Sequence, residues 1–177
     1  MIKNYKQLSN VMQTPKGTRD FLPEDMILRN KVFDTVKVVF ESYGYEPMET
    51  PAFEDWKTLS AKCGPEVKKQ IYYFKDKSSR ELGLRFDLTV PYSRIVGTNT
   101  GLPKPFKRYA IGPVWRYEAP QKGRYREFWQ ADIDIAGSDS ILADAEVVAV
   151  GIDCLTKLGF KNFKVRVNNR ECLEIWP

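Results

Sequence analysis

The sequence of 177 residues contains no histidine. Catalysis by an imidazole base is therefore excluded within these residues, and so is a metal site built on imidazole ligands. The three cysteines (Cys63, Cys154 and Cys172) lack the spacing of a metal-binding motif, and their odd number argues against a disulfide framework. We expect reduced thiols without a catalytic role, and hence a cytoplasmic protein.

Long hydrophobic runs are also missing. No segment approaches the roughly 18 uninterrupted apolar residues that cross a membrane, and residues 1–13 lack the apolar centre of a signal peptide. A content of 42% hydrophobic and 29% charged residues is typical of a soluble globular domain. The formal net charge of +5 favours anionic partners such as nucleotides or RNA, but only weakly, because many basic proteins bind neither.

Apolar residues that recur every three or four positions predict two amphipathic helices. The first covers residues 24–43, after Pro23, which suits a first helical turn, and before Gly44, which suits a helix stop. The second covers residues 140–158 and begins at a serine suited to capping. A short strand is predicted after it, at residues 163–167.

Three segments alternate between apolar and polar residues with a period of two, at residues 82–90, 109–118 and 128–136. This alternation is typical of half-buried strands in an antiparallel sheet. The basic loop at residues 119–126 contains Gly and Pro, which predicts a hairpin between the last two strands. With the helices, these strands predict an α+β fold in which helices pack on one face of an antiparallel sheet.

The polar faces of these strands could form a ligand site. They carry Arg85, Asp87, Thr89, Arg116, Glu118, Gln130, Asp132 and Asp134, and the loop adds Lys122, Arg124 and Arg126. A polar sheet face is usually only solvated, and its cross-strand ion pairs are worth fractions of a kcal/mol. Three such faces beside a basic loop also fit the floor of a nucleotide or amino-acid site, so both interpretations stay open. On the bulky faces, Trp115 and Trp129 are expected in the core.

Two segments resemble motif 2 of the class II aminoacyl-tRNA synthetases: residues 115–118 (WRYE) and 123–130 (GRYREFWQ). With residues 134–137 (DIAG), the pattern is similar to the histidyl branch of that class. Residues 15–20 (PKGTRD) resemble the N-terminal signature of the branch, and residues 84–91 (LRFDLTVP) resemble its amino-acid-binding strand.

Residues 24–51 look like motif 1, a long helix and an extended stretch ending in proline, which builds a homodimer interface in the family. The resemblance divides the chain into a lead-in at 1–17, the motif 1 helix and strand at 18–56, the amino-acid-binding strand at 82–91, the motif 2 hairpin at 106–137, and a helix and strand at 140–168. It implies a class II synthetase-like sheet that is incomplete, because motif 3 does not occur in these residues.

The resemblance implies ATP-binding roles for four residues. Arg116, the candidate catalytic residue, would contact the α-phosphate of ATP and the carboxylate of histidine. Glu118 would lie near the adenine amino group and help to fix Arg116. Arg124 would reach the γ-phosphate, and Phe128 would stack on the adenine ring.

The histidine substrate would be bound by Asp87, Leu88, Thr89, Arg116, Gln130 and Asp134. In the family pattern, Asp87, Thr89 and Gln130 surround the ammonium group, and Asp134 accepts a hydrogen bond from the imidazole. These roles fit ordinary chemistry, because anions bind arginine and cations bind carboxylates.

The implied activity is that of a histidine–tRNA ligase. ATP and L-histidine form histidyl-adenylate, pyrophosphate leaves with Mg²⁺, and the histidine passes to tRNA(His). The histidine carboxylate is already ionised, so no side-chain base is needed, and catalysis comes from alignment and from cations near the phosphates. No metal ligands from the protein and no membrane partner are expected, whereas a second copy is expected through motif 1.

Two alternatives have the same fold. A non-catalytic relative, the regulatory subunit of ATP phosphoribosyltransferase, would sense histidine without tRNA chemistry, although Arg116, Glu118, Arg124 and Phe128 together favour the enzyme. A module that only dimerises through residues 24–51 would bind neither ATP nor histidine.

Overall fold

The computed structural model describes residues 13–119 and 121–168. In chain order, its elements are α1 (Pro23–Ser42), β1 (Glu46–Pro47), β2 (Phe53–Asp55), α2 (Trp56–Ser60), α3 (Pro65–Gln70), β3 (Tyr73–Lys75), β4 (Glu81–Leu84), α4 (Thr89–Thr98), β5 (Phe106–Trp115), β6 (Glu127–Ala136) and α5 (Ile141–Lys157).

The first sheet has β5 between β1 and β6. Strands β5 and β6 pair antiparallel along their full length, from Phe106 opposite Ala136 to Trp115 opposite Glu127. The two-residue strand β1 instead runs parallel to β5. The predicted hairpin is therefore present, and the sheet is mixed at its β1 edge.

Helices α1 and α5 pack on one face of this sheet. The core between them and the sheet contains Val36, Val39, Phe40, Tyr45, Tyr109 and Val150. Both helices begin and end close to their predicted limits. The hydroxyl of Ser140 accepts a hydrogen bond from the N–H of Leu142 (3.2 Å), and Gly44 adopts the positive φ of +77° that ends α1.

The opposite face of the sheet is partly covered by α4, whose Tyr92 ring lies 4.8 Å from the guanidinium carbon of Arg108. The α+β prediction is confirmed, but helices lie on both faces of the sheet and not on one.

The predicted strand at residues 82–90 is wrong in its extent and in its sheet. Only Glu81–Leu84 is a strand, and it lies between β2 and β3 in a second, antiparallel sheet. The chain then turns into α4, because Asp87 Oδ1 accepts the backbone N–H of Val90 (2.8 Å), a first-turn donor that has no helical partner. Pro91 lies in that first turn, where proline is tolerated. The alternation of apolar and polar residues therefore extends beyond the end of the strand itself.

The strand predicted at residues 163–167 is also not observed. This stretch has no regular secondary structure, and Val165 and Val167 are exposed by 47% and 75%. A strand needs a neighbour for its backbone hydrogen bonds, and none pairs with this stretch within the described residues. No helix in the described part of the chain is both long and apolar enough to cross a membrane.

Candidate ligand-binding site

The sheet face below α4 carries the predicted polar residues in cross-strand pairs. Their register places Arg108 opposite Asp134, Ala110 opposite Asp132, Gly112 opposite Gln130, and Val114 opposite Phe128. Directly opposed residues on one face of a sheet are neighbours. The long polar side chains of β6 therefore face short ones at Ala110 and Gly112, which leaves space above the sheet.

Arg85 fills part of that space and fixes the chain that follows it. Its Nε donates to the carbonyl of Pro113 (2.8 Å), its Nη1 donates to the carbonyl of Thr50 (2.7 Å), and its own carbonyl accepts the N–H of Trp115 (3.1 Å). A Cβ atom at Gly112 would lie 2.6 Å from Arg85 Nη2. Arg85 therefore joins the end of β4 to β5 of the first sheet, two residues before Asp87.

Three carboxylates lie close together in this region. Burial raises the pKa of Asp132 and of Asp134 above the usual carboxyl value, and Arg108 opposes that rise in both. The Asp87 carboxylate raises the pKa of both further, while Arg116 lowers that of Asp132. The geometry therefore combines an acidic region, suited to a cation or a hydrogen-bond donor, with two guanidinium groups beside it.

The Arg116 guanidinium is held between two aromatic rings. Its central carbon lies 4.2 Å from the ring centroid of Phe86 and 5.0 Å from that of Phe128. Its Nε donates to the carbonyl of Phe86 (3.2 Å). Within the described residues, its two terminal nitrogens have no hydrogen-bond partner. The two rings fix the orientation of the guanidinium, and the terminal nitrogens remain available to an anion.

Glu118 pairs with Arg124, with 3.1 Å between Glu118 Oε2 and Arg124 Nε. It was expected to fix Arg116 as well, but its contact in the structure is with the loop arginine. Gln121 and Arg124 close the tip of the loop through two backbone hydrogen bonds, and Gly123 has the positive φ of +82° that this turn requires.

The remaining predicted residues have different surroundings. Leu88 is 2% exposed and packs in the core with Ala110 and Val114, so only its backbone can face a ligand. Thr89 is exposed at the start of α4, and the buried Oε1 of Gln130 has no hydrogen-bond partner among the described residues.

The sequence pattern did not reveal Arg108, and Asp132, although it lies on the predicted polar face, received no binding role. Arg108 occupies the first even position before Ala110, so extending the alternation of β5 by one residue pair would have placed it on the polar face opposite Asp134.

Trp129 was expected in the core but is 41% exposed. It stacks on Phe33 with 5.1 Å between ring centroids, and the Arg29 guanidinium lies 4.3 Å from its ring. Its face of β6 is therefore only partly covered by α1 at this end.

Within the described residues, no group of three or more Cys, Asp or Glu side chains is arranged to hold a metal ion. A Mg²⁺ ion at this site would therefore have to bring most of its ligands with it, as the phosphates of a nucleotide do.

The family model of histidyl-tRNA synthetase matches residues 17–175. The chain is 55% identical over 161 residues to a histidine–tRNA ligase of Aeropyrum pernix, covering 90% of the chain and 37% of that relative. It is 44% identical over 185 residues to a histidine–tRNA ligase of Gloeobacter violaceus, covering 91% of the chain and 40% of that relative. The chain thus spans about two fifths of the length of the curated relatives it matches.

Solved structures give the same result. A histidyl-tRNA synthetase from Nostoc sp. PCC 7120 matches with a TM-score of 0.77 at 36% identity, over 92% of this chain and 38% of that chain. A protein from Bacillus halodurans C, described as an ATP phosphoribosyltransferase regulatory subunit/histidyl-tRNA synthetase, matches with a TM-score of 0.77 at 27% identity, over 93% of this chain and 41% of that chain.

Proposed function

The chain belongs to the histidyl-tRNA synthetase family, and we propose that it supplies the half of the site that binds ATP and L-histidine for charging of tRNA(His). The observation that carries this proposal is the Arg116 guanidinium, held between Phe86 and Phe128 with its terminal nitrogens unpaired within the described residues. It lies beside the acidic region of Asp87, Asp132 and Asp134. A zwitterionic amino acid and a phosphate need this combination of charges.

In the proposed reaction, Arg116 orients the histidine carboxylate toward the α-phosphorus of ATP. A carboxylate oxygen forms the new bond, the bond from the α-phosphorus to the bridging oxygen breaks, and that oxygen leaves with its electron pair on pyrophosphate. No proton moves, because the carboxylate is already ionised. Arg116 then stabilises the charge that develops on the phosphoryl oxygens.

The hairpin loop holds the nucleotide in this proposal. Arg124 would leave or share its contact with Glu118 to bind the γ-phosphate, and Glu118 would then accept from the adenine amino group. Phe128 would stack on the purine. Mg²⁺ would enter with ATP and neutralise charge on the departing pyrophosphate.

The histidine ammonium would lie near Asp87, Thr89 and Gln130, and the imidazole would donate to Asp134. The unpartnered, buried Oε1 of Gln130 supports this placement, since a buried acceptor without a partner is costly. Leu88 contributes only its backbone, since its side chain is buried in the core.

Calorimetric titration of this chain with L-histidine, with ATP, and with both tests the proposal. We expect histidine to bind, and to bind more tightly with ATP present. Arg80→Ala is the matched control for Arg116→Ala, because the Arg80 side chain is 74% exposed and, among the described residues, forms its ion pair with Asp76. Failure to bind either ligand would contradict the proposal and support the dimerisation module.

A histidine sensor is the second candidate, suggested by the likeness to the Bacillus halodurans protein, whose description includes a regulatory subunit. The same titration separates the two, because a sensor would bind histidine but not ATP.

Homodimerisation through α1 is part of the proposal. It is supported by apolar side chains on the outer surface of α1, since Ile27, Leu28 and Val38 are exposed by 71%, 65% and 67%. Analytical ultracentrifugation of the wild-type chain and of the Val38→Glu variant tests it, since we expect a dimer for the wild-type chain and a monomer for the variant. The proposed reaction also implies a cytoplasmic location, where tRNA is charged.

A further inference from the structure

Arg108 is the most deeply buried charged residue in the described part of the chain, with 0% of its surface exposed. Its Nη2 donates to the carbonyl of Leu88 (2.9 Å) and pairs with the carboxylate of Asp134. Its Nε and Nη1 have no hydrogen-bond partner among the described residues. Burying a guanidinium is costly, so a role for it in the site offers a reason for its presence.

The two contacts of Arg108 join the two sides of the expected histidine pocket. Leu88 lies between Asp87 and Thr89 at the start of α4, whereas Asp134 lies on β6. These segments belong to different parts of the fold. One guanidinium therefore sets the position of the imidazole acceptor relative to the ammonium contacts.

We propose that Arg108 is a positioning residue for histidine selection, which keeps Asp134 ionised and oriented so that the site accepts the neutral imidazole. This inference rests on the proposed function. It concerns a residue that acts through Asp134 and does not itself react.

The charges around Asp134 give the reason for selecting the neutral form. Among the described residues, the charged groups that face it are Asp87 before α4, Asp132 on β6 and Arg108 on β5, with Arg116 close to Asp132. Tyr92 on α4 and Tyr45 before β1 face it as well. Burial raises the pKa of both tyrosines, so they stay uncharged near neutral pH. Three carboxylates then face two guanidiniums. One carboxylate is therefore uncompensated in the wild-type site, and removing Arg108 would leave two, so its loss shifts the preference of the site toward the imidazolium.

Proton release on histidine binding measures this preference directly. An imidazole has a pKa of about 6.5, so roughly three quarters of free histidine is imidazolium at pH 6.0. Binding of the neutral form should therefore release about 0.75 proton per histidine. Calorimetry at pH 6.0 in buffers of different ionisation enthalpy gives the number of protons released per bound histidine. This number can be compared between variants even when their affinities for histidine differ.

Three variants test the role of Arg108. In Arg108→Met, which keeps the apolar length of the side chain, we expect weaker binding and release of less than half of the wild-type protons. Arg108→Lys keeps the charge and should restore most of the release. Arg94→Met is the matched control, because Arg94 also pairs with a buried carboxylate, that of Glu54 in the second sheet. It should lower stability and leave proton release unchanged.

A second measurement needs no ligand. Carboxyl-carbon NMR titration should show a higher pKa for Asp134 in Arg108→Met than in the wild-type chain, because the opposing positive charge is gone. Equal proton release in the wild-type chain and Arg108→Met would overturn the inference while leaving the proposed function standing. If the wild-type chain bound no histidine, both the proposed function and the selection role would fail, and the NMR shift would then mark Arg108 as a structural ion pair only.

Discussion

Replacing Arg116 with alanine removes the guanidinium that Phe86 and Phe128 hold in place. Within the described residues its terminal nitrogens bind no protein carboxylate, so in the proposed site their whole donor capacity is free for the ligand. Loss of one such charge-stabilising donor costs about 3 kcal/mol in the activation barrier. At about 1.4 kcal/mol for each factor of ten, this is a rate loss of roughly 150-fold.

Folding should be affected far less by the same change. The side chain makes two ring contacts, each worth about 0.5–1 kcal/mol at a partly exposed site, and one hydrogen bond to the Phe86 carbonyl. Thermal denaturation therefore separates a folding defect from a catalytic one.

Histidine-dependent ATP–pyrophosphate exchange is the assay, carried out in a ligase of full family length that contains these residues. Arg80→Ala controls for the loss of an arginine and should leave the exchange rate unchanged. An Arg116→Ala enzyme within threefold of the wild-type rate would refute the role given to this residue.

Three further changes test the fold around the site. Gly112→Ala should lower the free energy of unfolding by about 1–3 kcal/mol, because the new Cβ would lie 2.6 Å from Arg85 Nη2; chemical denaturation measures it. Ser140→Ala should remove the helix cap, at a cost of about 1 kcal/mol, which lowers the melting temperature by roughly 2–4 °C. Burial and its hydrogen bond to Glu41 raise the pKa of Tyr109 to about 12. Its contribution to stability is therefore complete below about pH 10, the unfolded value, and is lost as pH rises toward 12; Tyr109→Phe should remove that loss in denaturation curves.

Each of these changes has a contradicting outcome. Gly97 has open space where a Cβ would be, so Gly97→Ala is the control for Gly112→Ala, and equal stability of the two variants would refute the clash. An unchanged melting temperature in Ser140→Ala would show that the cap contributes nothing. A Tyr109→Phe variant that still loses the same stability between pH 10 and 12 would place the titrating group elsewhere.

Much of the fold could be predicted because its signals are local. Helices α1 and α5 follow from apolar spacing and from residues at their ends, such as Gly44 and Ser140, whose conformations need only a few neighbours. The hairpin of β5 and β6 follows from alternation on both sides of a short loop. These features repeat within a few residues, so periodicity detects them.

The failures share a different physical cause. Residues 85–90 keep a period of two, but the Asp87 carboxylate satisfies a first-turn N–H of α4 and stops the strand. Residues 163–167 alternate as well, yet no neighbour pairs with them within the described residues. The alternation of apolar and polar residues indicates which side chains prefer burial, but it does not indicate whether a partner strand exists.

For the site, the sequence alone determined the family and the common face of Arg116, Gln130 and Asp134, because a period of two is a property of a single strand. Only the tertiary structure decided that Asp87 approaches this face from the loop between β4 and α4, and that Arg108 lies opposite Asp134. The two contacts of Arg108 join it to residues 20 and 26 positions away, through one hydrogen bond to Leu88 and one ion pair with Asp134. Such contacts leave no periodic trace, so they become visible only once the chain is folded.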